Sequence, residues 1–408
     1  MKIISDDLVD LEQYVNDRRR SSPPPDIPSD LIPETSPARP MLWVVLQASE
    51  VKILSDSSYG QIPKYGDGLF GEQGRVIYFP IHPLQLDYYR GKKIIESGTA
   101  RISAAYRTFF YEPDKKGPVR LGPPSGSSLM LKLHLDDPLP GIQGDRLLTY
   151  EKVTKCLSVS RELRVLEKKG KLAPCLSILP EEIGLVNENR GVIVRRLPLA
   201  KLVPAFSLSS PDYRDSDKEI LASTILRQAQ ETTGASTTDL FGEVFVKPLV
   251  NGLLSALRYG FSLEMHMQNV LFHFQDSGLV KKIFYRDLEG VIFSNKFRLS
   301  QNLPELFKKD QNPELYQHGE LFRRYFNRNI DHDLGRIFDN LLVMLEKTGF
   351  FKKHEIHLAI KSTRRAVRNA IYEFGFKKWA FWNQLLRVSR TPYGNGTRPV
   401  HYYHCRFR

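Results

Sequence analysis

The chain has 408 residues, 41% of them hydrophobic, which excludes a disordered polypeptide and makes two packed domains the expected organisation. Its 59 basic and 46 acidic residues leave a net charge of +13. That charge suits a cleft that collects polyanions such as ATP, citrate or pyrophosphate as well as it suits nucleic acid, so charge alone chooses no partner.

Cys156, Cys175 and Cys405 show no CxxC or Cys/His spacing, which argues against a disulfide framework and for a reducing compartment. The N-terminus turns acidic at Asp6-Asp7 before an apolar signal region forms, and no later stretch approaches a membrane span. A soluble, cytoplasmic protein is expected.

Residues 5–18 read as one short amphipathic helix, and Arg18-Arg-Arg20 with the Ser/Pro-rich stretch Ser21 to Pro40 as an extended linker. The folded unit is expected to begin near Met41. From there strand patterns dominate: Leu42 to Leu46, Val76 to Phe79, Ala104 to Phe110 and Leu129 to Leu135, separated by Gly/Pro/Ser clusters such as Gly122 to Ser128. Helical periodicity then takes over. One stripe runs through Val246, Leu249, Val250, Leu253, Leu254 and Leu257 and stops at Gly260. Others run through Leu334 to Leu345, stopped by Gly349, and through Ile356 to Ile371. Between them, Val270 to Phe274 and Val280 to Tyr285 flank Gln275-Asp-Ser-Gly278 as a hairpin.

The expected architecture is α+β: residues 1–40 as helix and linker, 41–155 as a β-rich, phosphate-gripping domain, and 156–408 as a mainly helical domain around a small antiparallel sheet.

The hairpin brings Glu264-Met-His-Met-Gln-Asn269 close to Arg286-Asp287-Leu-Glu-Gly290. Read as an extended segment, residues 264–269 put Glu264, His266 and Gln268 on one face and Asn269 on the other. Imidazole and amide N–H groups suit phosphoryl oxygens, whereas the oxygens of Asn269 and Asp287 suit Mg²⁺. A satisfied polar cluster inside a core is the alternative reading. Upstream, Arg107-Thr108, Lys132 and Arg146 put charge into or beside apolar strands, which is costly unless an anion neutralises it. A triphosphate or carboxylate clamp satisfies that need, and for any one of them a structural ion pair does equally well. His82 in Pro80-Ile-His-Pro-Leu-Gln85 reads better as a buried turn residue than as a ligand contact. The basic run Lys361 to Arg368 reads as a solvated helix face. Neither GxxxxGK[ST] nor GxGxxG after a strand is present, so nucleotide binding has to rest on side chains.

In these residues the chain resembles the NRPS-independent siderophore synthetases, the IucA/IucC family. Pro80 to Gln85 is similar to its "PvHPWQ" element, Tyr106-Arg-Thr108 to "SxRT", and Leu131 to Leu135 with Arg146 to "lKLsl…R". Gly191 to Arg195 is similar to "gvilR", Tyr259 to Asn269 to "yGialEaHgQN", and Arg286 to Gly290 to "RDfeG". The resemblance implies a fingers-and-palm synthetase fold and a role in iron acquisition. It implies that ATP and Mg²⁺ activate a carboxylic acid such as citrate as an acyl-adenylate, captured by an amine, hydroxylamine or alcohol. It implies an ATP site of Arg107, Thr108, Lys132, Arg146, Glu264, His266, Gln268, Asn269 and Asp287, with catalysis by Arg146, His266 and Lys132. Asn269 and Asp287 would stand nearest the metal, and His82, Gln85 and Arg195 would face substrate.

Ala105 and Leu84 depart from the motif Ser and Trp. An HPxxK-type motif is not found before Met41, so the usual N-terminal domain is expected to be lacking. A partner chain would then supply that surface, or ligase activity has been lost; a homodimer is a further expectation. A kinase-like phosphotransferase shares the His266, Asn269, Asp287 order, but Gln268 stands where such an enzyme needs a catalytic Asp. Nucleic-acid binding ranks last.

Overall fold

The computed structural model describes residues 8–14, 28–33, 35–56, 62–114, 116–122, 128–136, 146–210, 219–308 and 333–375. The chain opens with helix α1 (Leu8–Tyr14). Seven strands follow: β1 (Arg39–Gln47), β2 (Val51–Ser55), β3 (Phe70–Gly71), β4 (Val76–Ile81), β5 (Ile94–Ile102), β6 (Thr108–Glu112) and β7 (Leu129–Leu133). Helix α2 (Tyr150–Lys168) leads to β8 (Leu176–Ile178), β9 (Glu181–Asn187), β10 (Arg190–Arg196) and β11 (Val203–Pro204). Helices α3 (Ala205–Leu208), α4 (Leu221–Thr233), α5 (Thr237–Phe241) and α6 (Lys247–Leu257) precede β12 (Phe261–Ser262) and the hairpin β13 (Val270–Phe274) and β14 (Val280–Tyr285). Strand β15 (Ile292–Phe293) and helices α7 (Asn295–Ser300), α8 (Gly335–Lys347) and α9 (Lys353–Glu373) complete the described chain.

Nine strands form one sheet in the order β2-β9-β10-β7-β6-β5-β1-β4-β3, each antiparallel to its neighbours. β9 and β10 follow α2 in sequence yet lie inside this sheet between β2 and β7, so it crosses the boundary at residue 155 expected from sequence. The small sheet is ordered β11-β13-β14-β8. It is mixed rather than antiparallel, because β8 joins β14 in parallel. One core lies on the large sheet around Trp43, Phe79, Phe109 and Leu131. Another joins α2, α4, α6, α8 and α9 to the small sheet.

Local chemistry explains where the chain bends. The expected strand over Ala104 to Phe110 is split: β6 starts at Thr108, and Ser103 to Arg107 form the turn from β5, with Tyr106 at φ 61°. A left-handed residue inside a strand ends its ladder, which period-2 patterning does not reveal. The stop signals behave as expected, Gly260 and Gly349 both lying at positive φ after α6 and α8. Thr237–Leu257 is long and apolar enough to cross a membrane, and 83% of its apolar window is buried inside the protein.

Candidate active site

Lys132 is the centre of the site. It lies in β7, between Thr108 of β6 and Ile193 of β10, and is 2% exposed. A buried ammonium needs anions. Its Nζ bonds Asp287 Oδ1, and Glu289 Oε2 at 2.9 Å. Burial alone would lower its pKa, but the carboxylates of Asp287 and Glu289 raise it above the usual lysine value, so it stays charged.

Asp287 and Glu289 stand where the second hairpin strand ends. Asp287 adopts φ 72°, ψ 73° and starts a 3-10 turn, Leu288–Gly290, that aims the Glu289 carboxylate back at the large sheet. There Arg107 Nη2 donates to Glu289 Oε2 at 2.8 Å, and Lys152 Nζ lies 3.1 Å from Oε1. Burial would raise both carboxyl groups. For Asp287 the charges of Lys132, Arg195 and Arg107 more than offset this, and for Glu289 those of Lys132 and Arg107, so both are held well below the usual carboxylate range.

Helix α2 adds cations that sequence reading missed. Lys152 and Lys155, three residues apart, share one helix face. Lys155 is 7% exposed and donates to the Glu289 carbonyl at 2.7 Å. Burial lowers its pKa. The i, i+3 lysine spacing was the available signal, but a lysine pair on a helix usually marks a solvated face. Glu289 was also missed as a site residue, although it lies within the Arg286 to Gly290 motif.

The Glu264 to Asn269 segment differs from the expectation. It is irregular up to His266, and Met267 to Asn269 form a turn, so no alternating face exists. His266 Nδ1 accepts from Gln268 N–H at 3.2 Å, and Asn269 Nδ2 donates to the Glu264 carbonyl at 3.1 Å. The Glu264 carboxylate packs against Gly290, where an added Cβ would collide with it. Arg286 fastens this turn to the hairpin: its N–H donates to the Asn269 carbonyl at 2.9 Å and its Nε to the Gln268 carbonyl at 2.8 Å. Thr108 is buried across from Lys132, and the Arg146 carbonyl accepts from Arg107 Nη1 at 2.8 Å.

The three residues expected to face substrate are engaged within the protein. His82 is 2% exposed; its Nε2 lies 3.1 Å from the Tyr106 carbonyl and its Nδ1 accepts from Leu84 N–H at 3.1 Å. Burial chiefly lowers its pKa to about 4. Gln85, with its amide turned to satisfy both groups, bonds the Asp136 carboxylate at 2.9 Å and the Asp136 N–H at 3.1 Å. Arg195 is ion-paired with the fully buried Glu181, whose Oε1 also takes the Leu288 N–H at 3.5 Å. His82 therefore holds the turn before Arg107, and Arg195 supports the one after Asp287. The Gly122 to Ser128 loop lies outside the described residues from 123 to 127. The basic run in α9 is solvated as expected, with Arg365 paired to Asp239 at 2.6 Å.

The architecture that carries this cluster has counterparts among solved structures. ATP-bound aerobactin synthetase IucA from a hypervirulent Klebsiella pneumoniae aligns with a TM-score of 0.57 and 14% identity, over 84% of this chain and 64% of that one. Aerobactin synthetase IucC from the same pathotype aligns at 0.61 and 14% identity, over 92% and 70%. The petrobactin biosynthesis protein AsbB from Bacillus anthracis str. Sterne aligns at 0.60 and 15%, over 87% and 64%. The fold is that of the siderophore synthetases. A family model described as ferric iron reductase FhuF-like transporter matches residues 240–343, the segment holding the Glu264 to Gly290 half of the site. A comparison with curated protein sequences returned no match. This synthetase-fold chain spans 64% of the length of IucA.

Proposed function

We propose that this chain is an ATP-dependent siderophore-type synthetase, which adenylates a carboxylic acid such as citrate and passes the acyl group to an amine, hydroxylamine or alcohol. The observation that carries the reading is the cluster in which Arg107, Lys132 and Lys152 all lie within 3.1 Å of the Glu289 carboxylate, in a fold whose relative IucA was solved with ATP bound. Cations so arranged suit the oxygens of a triphosphate, Arg by a fork of donors and Lys as point charges. In the first step a substrate carboxylate oxygen attacks the α-phosphorus and pyrophosphate leaves. Lys132 and Arg107, with Arg146 and His266 nearby in the motif order, would stabilise the charge that builds there. In the second step the nucleophile attacks the acyl carbon and AMP leaves.

Mg²⁺ fits the donor set as an ion shared with phosphate. Among the described residues no group of three His, Cys, Asp or Glu could hold a metal by itself, so the protein would offer one or two hard oxygens. Asp287, whose carboxylate is ionised and 34% exposed, and the Asn269 amide oxygen would serve. The ion would neutralise charge on the leaving pyrophosphate.

ATP–pyrophosphate exchange with a panel of di- and tricarboxylates, followed by hydroxylamine trapping, tests the reading. AMP, pyrophosphate and hydroxamate are expected; ADP as the nucleotide product would overturn it in favour of phosphoryl transfer. A second reading, a non-catalytic relative that binds nucleotide or carboxylate, draws on Leu84, which is 43% exposed where the motif has Trp. Nucleotide binding without exchange would favour it.

A further inference from the structure

Helix α1 touches both walls of the site. Its Glu12 is fully buried, and the two carboxylate oxygens reach different elements. Oε1 pairs with Arg286 Nη1, the guanidinium that also holds the Gln268 carbonyl and immediately precedes Asp287. Oε2 accepts the Ala104 N–H at 3.1 Å, in the turn that ends at Arg107. Gln13 adds a bond from Nε2 to the Ile102 carbonyl at 3.2 Å, and Arg101 Nη2 donates to Asp10 and Gln13, each at 2.7 Å. Leu8 packs with Phe110 of β6, Met130 of β7 and Leu271 of β13, the seam between the two sheets.

We propose that Glu12 is a positioning residue: through one carboxylate it sets the spacing between the Arg107 turn and the Gln268 to Asp287 wall. A bidentate acceptor is required because the two donors belong to different sheets. Removing the bonds leaves the buried Arg286 donor and the half-buried Ala104 N–H without their acceptor and lets the turns that they held open locally. The catalytic consequence rests on the synthetase reading above; the structural consequence does not.

The test uses the full chain and Glu12→Gln, which keeps the shape but turns an amide NH2 toward one donor and, without the charge, weakens the hold on the other, so both walls lose part of the brace. Hydrogen exchange is expected to rise about tenfold or more in both Ile102 to Arg107 and His266 to Asn269, with β1 and β4 unchanged. An unchanged pattern, a rise in one wall alone, or uniform loosening of the whole protein would each overturn the proposal. Should Glu12→Gln fail to fold, Glu12→Asp keeps the charge with a shorter reach and is read by the same criteria. Where the wild type catalyses ATP–pyrophosphate exchange, the variant should raise KM for ATP by about tenfold at comparable thermal stability. Unaltered KM and kcat alongside loosened walls would reduce Glu12 to a structural role and reject the positioning claim. Absence of exchange in the wild type would sink the synthetase reading and leave the exchange-protection result to decide the brace.

Discussion

Lys132 illustrates how one residue joins folding to chemistry. Its ammonium is buried in a central strand and two carboxylates neutralise it, so losing it removes the cation bonded to Asp287 and one of the three on Glu289. Lys132→Ala is expected to destabilise the protein by about 3–5 kcal/mol, the usual cost of breaking a buried pair from one side. Urea denaturation measures this, and a loss below about 1 kcal/mol would show that Asp287 finds another partner. His82 gives a pH signature. Its folded pKa of about 4 lies below the unfolded value, so the unfolded chain binds more protons between these limits. Stability should therefore fall as pH drops from about 6.5 to about 4, by up to about 2–3 kcal/mol, and the slope should flatten in His82→Gln. Equal slopes for the two proteins would show that His82 is not the group responsible.

At the scale of elements, the site depends on how closely α2 lies on β9 and β10. A Cβ on Gly184 would run into Val153, and one on Gly191 would lie 2.6 Å from the same side chain. Both glycines thus let α2 settle deeply enough for Lys152 and Lys155 to reach Glu289. Gly184→Ala should cost about 1–3 kcal/mol by overpacking, and should weaken ATP-analogue binding because the lysines move outward with the helix. Calorimetric titration of the variant would check this; wild-type affinity would mean that α2 does not set the cation positions. The close approach was not legible, since a glycine in a strand signals a bulge as readily as a contact. The hairpin, by contrast, was legible from its alternating runs and its Gly278 turn, which sits at φ 76°.

For the whole molecule, the site has two walls that are distant in sequence, one from residues 101–155 and the other from 264–290. A ligand gripped by both should stabilise the native state globally. A non-hydrolysable ATP analogue at about one hundred times its Kd should add about 2.7 kcal/mol to the unfolding free energy. In Arg107→Ala the same analogue concentration should add much less, because Kd rises; an equal increment would place the nucleotide elsewhere. Acid should act through the same cluster. Asp287 and Glu289 have depressed pKa values, so their contribution is complete above the ordinary carboxylate range near pH 4 and is lost as pH falls through their folded pKa values.

Sequence by itself determined the α+β class, the hairpin and the charged motifs, because these follow from local periodicity, turn chemistry and the cost of charge in an apolar strand. It pointed to Arg107, Lys132 and Asp287 individually. Only the tertiary structure decided that Glu289 gathers three cations, that Lys152 and Lys155 join them, and that His82, Gln85 and Arg195 are engaged by the protein itself. It also drew α1 into the fold, where sequence suggested a helix tethered by a linker. The reason is physical: a buried charge announces that it needs a partner, but which partner meets it depends on strand order and on the approach of helices, neither of which is encoded at short range.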